Sequence, residues 1–229
     1  MANLTISAPM ISPVVVNSPT SWYATRDGLK TEMKKTWANY GKWFKYYGEA
    51  SKVPPAILLA FTMVESGGKP LAGGSGSMTQ GLMQWNRQYA AGKGNPDFTL
   101  TKEFTKGRLT DAEKEKLKSF GITFDAKGNT RTLTQADLQN PELNILIGAI
   151  TLGQYIDKTW GTDPNGNIRM DRIIALYNWG LGGFNKNSLG TKDVQGVMAN
   201  VPAITKTYIQ KMLGKNGALD IAINDNVAV

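Results

Sequence analysis

An unbroken apolar run, residues 56–64, lies between Pro54-Pro55 and Gly67-Gly68. Proline suits the first turn of a helix, where its missing N–H would have no partner in any case. Glycine takes the left-handed backbone that ends a helix. The bracket predicts a helix over residues 55–65 that is apolar on every face, and such a helix has to be buried. Its last residue is Glu65. The next acid in the chain is Asp97, beyond a Gly/Ser-rich loop and the stretch Gly81-Leu82-Met83-Gln84.

A carboxyl at that place meets two effects that oppose its ionisation. The C-terminal end of a helix carries partial negative charge. Phe61 and Leu58 lie one and two turns back on the same stripe, so burial against them penalises the anion further. Both effects raise the pKa, as a general acid working near neutrality requires. A solvated glutamate at a helix end fits the same local pattern, so the choice rests on the rest of the chain.

Composition narrows the chemistry. The 229 residues can bury a sizeable core, and they include neither cysteine nor histidine. Disulfides, thiol nucleophiles, histidine-based triads and imidazole zinc sites are therefore excluded. Carboxylates and tyrosines, with lysine, remain as acid–base groups, and neither a metal nor a cofactor is expected. The net charge of +8, from 26 basic and 18 acidic residues, favours polyanions such as nucleic acid, anionic lipid or a bacterial wall. The lysine clusters read as solvated faces, and no nucleic-acid motif with interleaved aromatics occurs. No apolar run is long enough to cross a membrane. Residues 1–20 lack the charged start and apolar stretch of a secretory signal, and are expected to be extended or disordered, a docking strap.

Periodicity predicts a mainly α chain. Met33, Trp37, Tyr40, Phe44 and Tyr47 share one face of a helix over residues 21–47, a pattern that suits core packing better than a sugar platform. Further helices are expected over residues 80–91, 111–119, 140–159, 171–181, 193–199 and 203–213. A small β-hairpin is expected between residues 122–125 and 130–134, and a frayed tail over residues 214–229. Asp163, Asn165, Asn167 and Asp171 alternate like calcium-loop ligands. Ile168 and Ile174 occupy the positions that such a loop needs for glycine and glutamate, so a turn is the better account.

Five short motifs occur in order: Glu65-Ser66; Gly81-Leu82-Met83-Gln84; Pro141 to Gly148 with Asn144-Ile145, continuing to Tyr155; Ala175-Leu176-Tyr177-Asn178-Trp179-Gly180; and Pro202, Thr205 and Tyr208. Together they resemble the lytic transglycosylases of the soluble-transglycosylase, lysozyme-like superfamily, over about residues 43–213. The resemblance implies a lysozyme-like helical domain over residues 21–213 that cleaves peptidoglycan between N-acetylmuramic acid and N-acetylglucosamine. It implies that Glu65 protonates the glycosidic oxygen and then acts as base, and that Gln84 holds the glycan. Tyr177 would bond and orient Glu65, and Asn178 would contact substrate. Ser75 corresponds to a loop serine that polarises the muramic N-acetyl group. Ser66, Tyr155 and Tyr208 would support the site or line its groove. Trp85-Asn86 departs from the family pattern and makes Asn86 a further candidate contact. For Tyr177, a core tyrosine with a satisfied hydroxyl remains the other reading.

Ordinary glycosidases use two carboxylates. No local acid can pair with Glu65, which suits a reaction completed by the muramic 6-hydroxyl and assisted by the substrate's acetamido group. Asp97, Asp137 or Asp171 could still fold back. A hydrolytic muramidase and an inactive glycan-binding virion component stay open as alternatives. The expected partner is peptidoglycan. A phage particle, a lysis system or a secretion machine would bring the protein to the wall, with residues 1–20 as the segment that engages it.

Overall fold

The computed structural model describes residues 25–73, 79–86, 109–126, 130–131, 133–158 and 161–228. The strap expected at residues 1–20 lies outside them. The described chain is mainly helical. It opens with α1 (Arg26–Ala50), whose N-cap Thr25 accepts from the Gly28 N–H. Met33, Phe44 and Tyr47 of the aromatic stripe are buried, while Trp37 and Tyr40 pack against the core half-buried.

Helix α2 (Pro55–Ser66) forms as its bracket predicts. Pro55 occupies the first turn, and Gly67 caps the end at φ 63° with its N–H on the Met63 carbonyl. The stretch from Ile57 to Met63 is buried without interruption. A helix apolar on all faces needs neighbours on all faces. Here they are α1, α5 (Pro141–Ile156), α8 (Ala203–Leu213) and α9 (Ala218–Asn224).

Residues 80–86, the described part of the helix expected over residues 80–91, are not helical. Strands β1 (Thr79–Gln80) and β2 (Trp85–Asn86), each two residues long, pair antiparallel across a four-residue turn, with Gln80 opposite Trp85. The turn uses left-handed backbone at Gly81 (φ 81°) and Gln84 (φ 47°), which interrupts any helix there. A Cβ at Gly81 would collide with the Leu138 carbonyl and the Asn144 amide. The spacing of Trp85 and Tyr89 mimicked a helical period, and Tyr89 lies outside the described residues.

Helix α3 (Asp111–Ser119) carries the capping box read from Thr110 and Glu113. The hairpin expected after it reduces to a single antiparallel bridge between Phe124 and Thr130 among the described residues. A second capping box, Thr134 with Asp137, instead starts the short helix α4 (Gln135–Gln139). Helix α6 (Met170–Lys186) bends at Gly180, whose φ and ψ of 80° and 166° are not helical. A 3₁₀ turn (Leu189–Thr191) and α7 (Val194–Asn200) lead into α8.

The tail is not frayed. Helix α9 buries Ala218, Leu219, Ile221 and Ala222. Arg26 at the start of α1 donates to Asp220 at 2.7 Å and Asp225 at 2.5 Å, and Lys30 reaches Asp225 at 3.0 Å. Ending the chain at Gly214 should therefore lower the thermal midpoint by roughly 10 °C or more, since two or three large apolar side chains lose their burial. A melt unchanged by the truncation would mean that α9 contributes nothing to the core.

Candidate active site

Glu65 stands in the last turn of α2, where α8 packs against it. The Tyr208 hydroxyl donates to Oε1 of Glu65 at 2.6 Å. Burial pushes the Glu65 carboxyl up to about 7, and the Tyr208 bond and the charge of Lys211 offset part of that rise. Phe61, one turn back, has its ring 4.7 Å from that of Tyr177 and 6.2 Å from that of Tyr208. Trp85 stands edge-on to Tyr177 at 5.9 Å. The acid thus sits beside an aromatic wall built from α2, α6, α8 and the hairpin.

Tyr177 does not make the bond expected of it. Its hydroxyl donates to the Met83 carbonyl at 2.7 Å, in the hairpin turn. The Met83 carbonyl needs a donor, and α6 supplies it. Burial raises the Tyr177 and Tyr208 hydroxyls well above the usual phenol range, and the nearby Glu65 adds to the rise in both. Both tyrosines therefore stay protonated as donors.

The remaining candidates divide. The Gln84 amide is engaged within its own hairpin, accepting from the Thr79 hydroxyl at 2.8 Å and donating to the Gly81 carbonyl at 2.8 Å. Its positive φ is strain held by the surrounding structure, of the kind that gathers at functional sites. Asn178 accepts from the Thr205 hydroxyl at 2.7 Å, which joins α6 to α8. The Ser66 hydroxyl bonds back to the Thr62 carbonyl at 3.0 Å and supports the end of α2. Tyr155 is half-buried against the core, near enough to raise the Tyr177 pKa. Ser75 and the Asn86 side chain lie outside the described residues.

Two contributors went unassigned in the sequence. Asn144, fully buried in α5, pins the hairpin by accepting from the Met83 N–H at 2.8 Å and donating to the carbonyls of Gln80 at 3.2 Å and Leu138 at 2.6 Å. Its signal was an amide inside the apolar run from Leu143 to Ile147, because a buried polar side chain needs partners. Gly148, one turn on, leaves the space that the Met83 side chain fills. Lys211 is the other, and its signal was its place one turn beyond Tyr208.

The distant acids are otherwise engaged. Asp137 is held by Arg131 at 2.7 and 3.1 Å, and buried Asp171 by Arg169 at 2.9 and 2.8 Å. Asp97 lies outside the described residues. Among the described residues no carboxylate contributes to the charge environment of Glu65, and no three metal-binding side chains gather. No described helix is long and apolar enough to cross a membrane. No protein-family model matches the chain, and comparison with curated proteins returns no match.

The raised pKa has a consequence for stability. Between its ordinary value of 4.5 and about 7, folded Glu65 keeps a proton that the unfolded chain releases. The stability it contributes is therefore lost as pH rises through that window. Glu65→Gln removes the titration. Relative to the wild type, the variant should gain on the order of 2 kcal/mol between about pH 4 and pH 8 in denaturant melts. An equal difference at both pH values would mean that Glu65 titrates normally.

Proposed function

We propose that this chain is a peptidoglycan lytic transglycosylase with a lysozyme-like domain, and that Glu65 is its general acid and base. The observation that carries the reading is a half-buried carboxyl of raised pKa, bonded to Tyr208, with no second carboxylate acting on it among the described residues. One acid suffices when the substrate supplies the other groups.

In the first step Glu65 gives its proton to the glycosidic oxygen as the bond from the muramic C1 breaks, and the substrate's acetamido oxygen closes on C1. The released carboxylate is stabilised by the Tyr208 hydroxyl, whose bond strengthens when the acceptor is charged. In the second step the muramic 6-hydroxyl attacks C1, the acetamido oxygen leaves, and Glu65 takes the hydroxyl proton. A 1,6-anhydro end is left and the acid is restored.

The other residues have roles on either side of this exchange. Tyr177 and Asn144 hold the hairpin that carries Gln84, the candidate glycan contact. Loss of the internal bonds of Gln84 is compensated when the sugar offers its own donors and acceptors. The free amide hydrogens of Asn178 suit a sugar carbonyl or hydroxyl. The net charge of +8 suits a wall rich in carboxylates and phosphates. Delivery to the wall by a phage particle, a lysis system or a secretion machine is part of the proposal.

Clearing of purified sacculi tests the assignment. Glu65→Gln should lose about 10² to 10⁴ in rate while remaining folded. Tyr208→Phe should lose about tenfold, and Tyr177→Phe should lower stability more than it lowers turnover. If wild type does not clear the wall, or Glu65→Gln clears it at wild-type speed, the proposal fails.

A further inference from the structure

Helix α2 ends at Glu65 and Ser66, so the partial negative charge of its last carbonyls lies beside the carboxyl. Helix α8 brings Tyr208, at its middle, to the same place. An ionised Glu65 would therefore face burial and a helix end of its own sign. The proposed reaction nevertheless requires that ionised form, from the release of the first proton until recovery of the second.

We propose that Lys211 is a positioning residue for Glu65, its ammonium holding the carboxylate form through the half of the reaction in which the acid is a base. Lys211 follows Tyr208 by three residues on α8, which puts both side chains on one face of that helix. Tyr208 is already seated on Glu65, and Lys211, on the shared face, lies near enough for its charge to act on the same carboxyl. The position also suits lysine, because a cation in the last turn of α8 offsets the dipole of that helix. The attraction of Lys211 lowers the Glu65 pKa against the effect of burial.

Among the described residues, the other elements around α2 bring no competing charge to Glu65. From α6 comes Tyr177, with its hydroxyl on Met83, and behind it Tyr155 of α5. From α1 comes Thr36, which meets Gly68. Asp220 of α9, and Asp225 just after it, are tied to Arg26 and Lys30. Tyr208 can support the anion by a hydrogen bond but cannot neutralise it. Lys211 supplies the charge.

The coupling of Lys211 to Glu65 is a property of the chain alone, and its use in turnover rests on the transglycosylase reading. The experiment separates the two. Full-length wild type, Lys211→Met and Lys211→Arg are prepared with isotope-labelled glutamate, and the Glu65 carboxyl resonance, assigned with Glu65→Gln, is followed by NMR against pH. Lys211→Met should raise the midpoint by about one pH unit, and Lys211→Arg should keep it near wild type. On sacculi, Lys211→Met should move the alkaline limb of the rate profile up with the midpoint. It should also lower kcat by up to about tenfold, with KM unchanged. A folded Lys211→Met whose Glu65 midpoint does not move overturns the proposal. So does a Lys211→Arg that behaves like Lys211→Met, or an effect confined to KM, which would make Lys211 a substrate contact. Were wild type inactive on sacculi, the shifted midpoint would uphold the coupling while the assignment of substrate fell.

Discussion

The bond from Tyr208 to Glu65 joins the last turn of α2 to α8, and the rest of the site is arranged around that junction. Helix α2 is apolar on every face and has to be surrounded, so its last turn is held half-buried against its neighbours. The carboxyl is carried there with it. Burial then favours the neutral acid, while the phenol and the lysine on α8 keep the anion within reach. A group meant to give up a proton and take one back needs that balance.

The same balance sets a limit on stability. A carboxyl pushed towards neutrality destabilises the folded chain at high pH, and the left-handed Gln84 adds local strain. The surrounding structure compensates with neutral packing and buried hydrogen bonds. Asn144 shows how: a single buried amide meets one N–H and two carbonyls and so fixes the hairpin without any charge. The clasp of Arg26 and Lys30 with Asp220 and Asp225 does comparable work at the far side of α2, closing α9 over α1.

What the sequence made legible was local. Pro54-Pro55 and Gly67 mark the ends of α2 because proline and glycine act on their own backbone. Thr110 and Glu113 mark the start of α3 for a similar reason. The hairpin at residues 79–86 was not legible, because its turn is held by Asn144, about sixty residues away, and by the hydroxyl of Tyr177, 94 residues away. Helix α9 was missed because it is held by α1, at the other end of the chain. The two tyrosines illustrate the same limit. Motif order names Tyr177 and Tyr208 as candidates, but which hydroxyl meets Glu65 depends on how α6 and α8 cross α2, and short motifs do not record crossing geometry.

The central claim is that one half-buried acid, with no carboxylate partner among the described residues, cleaves a glycan by passing its proton to the leaving sugar and recovering one from the substrate itself. Digestion of purified sacculi in heavy-oxygen water, followed by mass spectrometry of the released muropeptides, tests that claim most directly. The account predicts muramic ends lighter by one water than reducing ends, with no heavy oxygen at C1. Reducing ends that carry heavy oxygen would show that water completes the reaction and would contradict it.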